Sequence, residues 1–128
     1  MSQRKTKQRD IILTTLIEAN RPLARSELWE MSRKKAPRLG FATVNRAVNS
    51  LLEENKVVKI DYPGQPPRIE IRSSEEHPHL LCVKCRRSFN LDLPMPELGA
   101  LPQIPEGRII GYEVAFFGIC KDCLKTKI

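Results

Sequence analysis

The segment LGFATVNRAVNSLL, residues 39–52, predicts an amphipathic helix. Its apolar side chains recur at i, i+3, i+4, i+7 and i+8, and they are Val44, Ala47, Val48, Leu51 and Leu52. Thr43, immediately before them, is a residue type that often caps a helix N-terminus. The opposite face carries hydrogen-bonding side chains, namely Asn45, Arg46, Asn49 and Ser50. One face of this helix is therefore expected to pack in a core, and the other to meet solvent or a partner.

Two shorter apolar patterns predict two helices before this segment. The first helix has Thr6 as its candidate N-cap and ends at Asn20-Arg21-Pro22. Its apolar face is formed by Ile12, Leu13, Leu16 and Ile17. The second helix is expected from about Ser26 to Arg33, with Leu28 and Met31 facing inward.

A β-hairpin is predicted after the three helices. Val57–Tyr62 and Arg68–Arg72 have the composition of strands, and the proline-rich sequence PGQPP between them predicts a turn. Three helices followed by a hairpin is the order of a winged helix-turn-helix, whose third helix can enter a DNA major groove. There, Arg can bond guanine and Asn can bond adenine. The alternative is that Asn45, Arg46 and Asn49 form an ordinary solvated helix face.

The charge distribution favours a polyanionic partner for the first half. The chain has 128 residues, 22 Lys and Arg, 15 Asp and Glu, and a formal net charge of +7. Residues 1–56 contain twelve basic and six acidic side chains, whereas residues 57–128 contain ten and nine. The charge excess by itself suits nucleic acid or an acidic membrane surface, and its location in the winged-helix half points to duplex DNA as the partner. Apolar stretches fall far short of the roughly 18 residues of a membrane span, and Met1–Arg9 is basic without an apolar core after it. We therefore expect a cytoplasmic protein with no membrane partner.

The four cysteines predict a zinc site in the second half. Cys82 and Cys85 form one CxxC pair, and Cys120 and Cys123 form another. Two CxxC turns can complete a tetrahedral four-cysteine zinc site. The alternatives are disulfides or a redox dithiol, but a redox CxxC usually opens a helix after a strand, and neither pair has that setting convincingly.

The segment between the two pairs is interrupted by prolines. It predicts strands at Phe89–Leu93 and Tyr112–Phe117, with about one helical turn at Glu97–Leu101. Because eight of the ten prolines lie within residues 57–128, a large core is not expected in this part of the chain. Zinc should therefore supply much of its folding free energy.

A second metal-ligating group is formed by Glu70, His77 and His79. These are the two histidines of the chain and a carboxylate near the end of the hairpin. Carboxylate and imidazole ligands together suit Fe²⁺, Mn²⁺, Zn²⁺ or Ni²⁺. The alternative is that the histidines are exposed loop residues beside Glu75 and Glu76.

Motifs along nearly the whole chain resemble the ferric-uptake-regulator family of bacterial metal-sensing repressors. In order, they are Thr6-x-x-Arg9, Pro22-Leu23, Glu27-Leu28-Trp29, Leu39-Gly40-Phe41-Ala42-Thr43-Val44-Asn45-Arg46-Ala47, Leu51-Leu52, Arg68-Ile69-Glu70-Ile71, His77-x-His79-Leu80-Leu81-Cys82-x-x-Cys85 and Gly118-x-Cys120-x-x-Cys123. The resemblance implies an α+β fold, with an N-terminal winged helix-turn-helix and a small α/β dimerisation domain that contains the four-cysteine zinc site. The expected boundaries are residues 1–72 for the DNA-binding domain, 73–79 for a hinge and 80–128 for the dimerisation domain.

The resemblance also implies roles for individual residues. The four cysteines match structural zinc ligands, and Glu70, His77 and His79 match three ligands of the sensory metal site. The helix from Thr43 matches the recognition helix, with Arg46 as a DNA contact, and Arg9 matches a contact to the DNA backbone. Two departures stand out: Asn45 replaces the usual tyrosine, and Asn90 replaces a common acidic ligand five positions after Cys85.

The expected function is a homodimeric transcription regulator, a repressor, that binds a double-stranded DNA operator under the control of a second divalent metal. One alternative is a family member that has lost metal sensing and binds DNA constitutively. Another is a zinc-ribbon adaptor that binds protein or RNA. An enzyme is not expected, because four cysteines on one zinc leave no open position for water.

Overall fold

The computed structural model describes residues 3–97 and 99–125, the first four of them by their backbone alone. The first half contains, in chain order, α1 (Gln3–Ala19), β1 (Leu23–Ala24), α2 (Arg25–Ser32), α3 (Phe41–Glu53), β2 (Val57–Ile60) and β3 (Arg68–Ile71). The second half contains β4 (His79–Cys82), β5 (Ser88–Asn90), β6 (Phe116–Gly118) and α4 (Lys121–Lys125). None of the described helices is long and apolar enough to cross a membrane.

The first half forms the predicted winged helix-turn-helix. β2 and β3 pair antiparallel, with Val57 opposite Ile71, and β1 adds to the other edge of β3. β1 is only two residues long, too short for a periodic signal in the sequence. The core between helices and sheet is formed by Ile12, Leu16, Leu23, Leu28, Leu39, Val44, Val48, Leu51, Val57 and Ile69.

The helix termini and one apolar face differ from the sequence expectations. α3 begins at Phe41 with Gly40 as its N-cap, so the prediction of Thr43 as the N-cap was wrong. The earlier start has a structural cause, because Trp29 donates its indole N–H to the Leu39 carbonyl at 2.9 Å and packs edge-on against Phe41. α1 already includes Thr6, which therefore lies within the helix rather than before it. Ile17, expected on the buried face of α1, is 62% exposed.

The second half is a three-stranded sheet in the order β5-β4-β6. β4 pairs antiparallel with β5 and parallel with β6, with Cys82 opposite Gly118. The parallel pair needs a crossover, and the described residues between β5 and β6 form one isolated bridge and neither a helix nor a longer strand. The strands predicted at Phe89–Leu93 and Tyr112–Phe117 are thus shorter than expected. The described part of Glu97–Leu101 is not helical, as the prolines in this crossover cannot continue a helix or a paired strand.

Side chains of the first half contact the second sheet directly. The hydroxyl groups of Tyr62 and Ser88 are hydrogen-bonded, and the Tyr62 ring lies edge-on to Phe117 at 6.2 Å. The buried Arg68 on β3 donates to the Arg86 carbonyl at 2.7 Å. These contacts place the turn end of the hairpin beside β5, β6 and the turn that precedes β5.

Candidate metal centres and nucleic-acid interface

The two CxxC pairs meet at one end of the second sheet. Parallel pairing of β4 with β6 brings Cys82, at the end of β4, close to the segment that carries Cys120 and Cys123. The Sγ atoms of Cys82 and Cys123 are 3.7 Å apart, as are those of Cys85 and Cys120, and all four lie within 4.8 Å of one another. A tetrahedral zinc site with Zn–S bonds of about 2.3 Å has neighbouring sulfurs about 3.8 Å apart. The four free thiols therefore have both the donor type and the spacing that Zn²⁺ requires.

Hydrogen bonds around the cluster favour the thiolate form of two cysteines. Burial by itself raises the pKa of Cys82, but backbone N–H groups of Cys85, Cys120 and Lys84 lower it to about 6. Burial likewise opposes ionisation of Cys85, while the Arg87 side chain, whose Nε donates to Sγ at 3.3 Å, lowers its pKa overall. Burial and the neighbouring thiols raise the pKa of Cys123 to about 12. Four adjacent thiolates thus need a cation to coexist, as a bound zinc ion would provide.

The second cluster brings together Glu70, His77 and His79. Oε1 of Glu70 lies 3.1 Å from Nε2 of His77 and 3.0 Å from Nε2 of His79. The Glu70 side chain is only 8% exposed, and its Oε2 atom has no hydrogen-bond partner among the described residues. A buried carboxylate oxygen without a partner is costly unless a cation or proton satisfies it. The cluster consequently fits a divalent metal by its donors, its spacing and its unsatisfied oxygen.

Asn90 adds an oxygen to this cluster. Its Oδ1 atom lies 3.0 Å from Nε2 of His77, because antiparallel pairing of β4 and β5 sets Asn90 opposite His79. Burial lowers the pKa of His77, but the Glu75 carbonyl, the charge of Glu70 and Asn90 raise it above its usual value overall. The adjoining pocket, about 330 Å³, gives an ion access from solvent. Asn90 thus adds a fourth candidate donor to this cluster. It lies five positions after Cys85, where the family resemblance led us to note the replacement of a common acidic ligand.

The outward residues of α3 are arranged around an arginine from α2. Arg46 and Asn49 are exposed and Asn45 is half-buried, and Arg46 donates to Oγ1 of Thr43 at 3.2 Å. Arg25 donates to Oδ1 of Asn45 at 3.1 Å and to Oδ1 of Asn49 at 2.9 Å. Sequence reasoning missed Arg25, because no local pattern indicates which α3 side chains the first residue of α2 contacts.

Arg9 lies at the other end of α3 and is paired with a carboxylate. Its two terminal nitrogens contact the two carboxylate oxygens of Glu54, each at 2.7 Å. The hydrogen bond from Arg9 is the main reason that the pKa of Glu54 lies below its usual value. Any contact of Arg9 with a phosphate must therefore compete with this ion pair.

The comparisons with known proteins identify the family. The sequence model described as the ferric uptake regulator family matches residues 1–97. The chain belongs to this family. The ferric uptake regulation protein of Campylobacter jejuni is 29% identical over 126 residues, which are 95% of this chain and 80% of that protein.

Solved structures share the fold. The Helicobacter pylori ferric uptake regulator Fur matches with a TM-score of 0.65 at 21% identity, over 95% of this chain and 83% of that one. A zinc-bound manganese uptake regulator matches with a TM-score of 0.70 at 19% identity, over 94% and 89% of the two chains. Family membership confirms the predicted fold class. The family consists of metal-responsive, DNA-binding transcription regulators and not of enzymes, so the protein is a DNA-binding transcription regulator.

Proposed function

We propose that the protein is a homodimeric repressor that binds a duplex DNA operator through α3, under the control of a metal at Glu70, His77 and His79. The observation that supports control by a metal is the position of this cluster between the two sheets. Glu70 belongs to the sheet of the winged helix, whereas His79 belongs to the second sheet. Ligands from both sheets on one ion would make the relative position of the two halves depend on metal.

The proposed DNA surface is the outward face of α3. Thr43, Asn45, Arg46 and Asn49 supply hydrogen-bonding groups there, and Arg9 supplies a charge near the end of the same helix. The surrounding half carries the excess of basic residues. A major groove accepts a helix of this kind, and phosphate contacts from basic side chains supply most of the non-specific affinity.

The proposed structural metal is Zn²⁺ on Cys82, Cys85, Cys120 and Cys123. Zn²⁺ supplies positive charge that stabilises four neighbouring thiolates. The cysteines come from β4, the turn after it, and the segment at α4, so a common ion would connect all three. Since β5 and β6 have only three residues each, this connection would add to the few buried side chains that the structure describes in the second half.

The proposed regulatory metal is a divalent cation such as Fe²⁺, Mn²⁺, Zn²⁺ or Ni²⁺. Glu70, His77 and His79 would hold it, with Asn90 as a neutral oxygen donor in place of a carboxylate. Such an ion supplies charge that satisfies the buried Glu70 carboxylate. Both histidines must lose their ring proton at the ligating nitrogen, which the raised pKa of His77 opposes. The conformation that presents all these donors together binds the ion best, so the ion shifts the population toward that conformation.

Exposed apolar side chains of the second half support a homodimer. They are Val83, Leu93, Ile104, Ile110, Tyr112, Phe117, Ile119 and Leu124. Clusters of exposed apolar side chains commonly mark protein interfaces. In a dimer, a metal that fixes the relative position of the two halves of each subunit would also fix the distance between the two copies of α3. That distance must match DNA half-sites about 34–36 Å apart.

The test is DNA binding by the full chain with and without metal. A duplex selected by the zinc-loaded protein from a random library should bind more tightly when Fe²⁺, Mn²⁺, Zn²⁺ or Ni²⁺ is added. The double variant His77→Ala, His79→Ala should lose this gain while still retaining the cysteine-bound zinc. Glu76→Gln, which changes an exposed carboxylate nearby, is the matched control and should keep the gain. If mild chelation and the double variant both leave DNA affinity unchanged, the protein is a constitutive DNA binder and metal control is wrong.

A further inference from the structure

Arg25 contacts two side chains of α3 through the two arms of its guanidinium. It is the first residue of α2, and its NH1 and NH2 atoms donate separately to Asn45 and Asn49. NH1 also lies 3.4 Å from the Asn45 backbone carbonyl. Asn45 and Asn49 are four positions apart and therefore neighbours on one helix face. One guanidinium thus contacts both amide side chains of that face.

The chemistry of arginine determines how the two amides are turned. A guanidinium has five N–H donors and no acceptor. The amide atom that faces Arg25 is therefore the oxygen in both residues. Each amide is planar and carries its oxygen and its NH2 group on separate bonds from Cγ, so the NH2 group points in a different direction from the oxygen that faces Arg25. Among the described residues, none accepts a hydrogen bond from Nδ2 of Asn45 or Asn49.

We propose that Arg25 is a positioning residue for base recognition, which turns Asn45 and Asn49 so that α3 offers amide donors to the edges of the bases. This inference rests on the proposed binding of DNA through α3. Free amides can adopt several rotamers, and a partner that holds them in one rotamer reduces the conformational entropy lost on binding.

The orientation changes which base these residues prefer. A bidentate contact to adenine needs the amide oxygen to accept from N6 while the NH2 group donates to N7. In this structure Arg25 holds each Oδ1 toward α2, so an adenine contact could use only the second lone pair of that oxygen, in the orientation that Arg25 fixes. Guanine presents two acceptors, N7 and O6, in the major groove, whereas cytosine presents a donor. Donor groups held outward therefore favour guanine, and not the adenine that an unrestrained Asn45 would suggest.

The variant Arg25→Lys distinguishes positioning of the two amides from a contribution of positive charge alone. Lys keeps the positive charge, but its single ammonium group lacks the planar fork that contacts two amides at once. If Arg25 served only as a charge near phosphate, Arg25→Lys would preserve both affinity and base preference. If Arg25 positions the amides, the variant should keep the salt dependence of binding and lose base preference.

The experiment is selection of binding sequences from a randomised duplex library by the full, metal-loaded chain. Wild-type protein should enrich guanine at positions read by α3, and Arg25→Lys should reduce the guanine-over-adenine preference there about fivefold or more. Arg33→Lys is the matched control, because Arg33 contacts Glu30 and Trp29 and makes no described contact with α3 amides, so its preference should equal that of wild type.

A second variant tests the donor groups themselves. Asn49→Asp keeps an oxygen for Arg25 but removes the NH2 group, and it should lose the preference at one position only. An unchanged preference in Arg25→Lys, or adenine in place of guanine for the wild type, would overturn the inference and leave DNA binding intact. Failure of the wild type to enrich any sequence would instead overturn the proposed function, and the inference with it.

Discussion

Oε1 of Glu70 on β3 lies 3.0 Å from Nε2 of His79 on β4, so one contact joins the two sheets of the protein. The Glu70 side chain is 8% exposed and that of His79 is 15% exposed. Among the described residues, the halves are also linked by hydrogen bonds of Arg21, Tyr62, Arg68 and Asn90. A small rotation of one half against the other would therefore separate Glu70 from the histidines, which makes the cluster sensitive to the relative position of the sheets.

Replacing Glu70 with Gln should remove the labile metal and keep the fold. The variant retains the size of the side chain but loses the negative charge that faces both imidazoles. Even partners that merely support a ligand change metal affinity about 10–100-fold, so loss of a ligand should cost at least about tenfold. Metal analysis after dialysis, together with titration of Mn²⁺ by calorimetry, measures this effect. Glu76→Gln should bind as wild type, and equal affinity in the two variants would contradict a role for Glu70.

The parts of the fold that depend on local pattern were predictable from the sequence. The apolar spacing of Val44, Val48 and Leu51 indicated α3, and all three are fully buried. The proline-rich turn indicated the β2–β3 hairpin. The CxxC spacing indicated the four-thiol cluster, because two residues between cysteines place both sulfurs on one side of a turn.

Features that depend on distant contacts were not predictable. The start of α3 depends on the hydrogen bond from Trp29 to Leu39, ten residues away. The two amide contacts of Arg25 span 20 and 24 residues. The exposure of Ile17 depends on which elements pack against α1, which helical periodicity does not report. The described residues of the crossover before β6 form one isolated bridge, although the pattern at Tyr112–Phe117 predicted a strand that begins earlier than β6.

Replacing Cys85 with Ser should release zinc and loosen the second sheet. A serine hydroxyl is a poor zinc ligand, and structural zinc contributes roughly 10–16 kcal/mol of apparent binding free energy in small zinc-dependent domains. Hydrogen exchange should show loss of protection in β4, β5 and β6, whereas amides of α3 should remain protected because their core lies elsewhere. Lys84→Ser, at an exposed position between the same two cysteines, should retain one zinc per chain. Unchanged protection of β4 in the cysteine variant would show that zinc does not stabilise the sheet.

Replacing Arg9 with Ala should reduce the salt dependence of DNA binding. If Arg9 contacts one phosphate, its loss should decrease the slope of log K against log salt by about 0.9. Glu54 holds Arg9 through two contacts of 2.7 Å, so Glu54→Gln should free the guanidinium and strengthen binding without changing that slope. Fluorescence anisotropy with a labelled duplex at several salt concentrations gives both quantities. An identical slope for Arg9→Ala and wild type would mean that Arg9 serves only to pair with Glu54.

Replacing Ile110 with Glu should dissociate the proposed homodimer. Ile110 is 91% exposed in the single chain. Burial of an isoleucine side chain in an interface would stabilise the dimer by about 1.5–3 kcal/mol in each subunit. In a symmetric dimer the substitution acts in both subunits, so the dissociation constant should rise more than about a hundredfold. Sedimentation velocity over a range of protein concentrations measures this change.

The matched control for the dimer is Ile17→Glu. Ile17 is also largely exposed, at 62%, but it lies on α1 in the winged-helix half. This variant should sediment as wild type, because the apolar surface that we assign to the dimer belongs to the second half. Loss of the dimer in Ile17→Glu and not in Ile110→Glu would place the interface on α1. In that case the spacing of the two α3 helices would be set directly between the winged-helix halves, and a metal at Glu70 would have no relative movement to control.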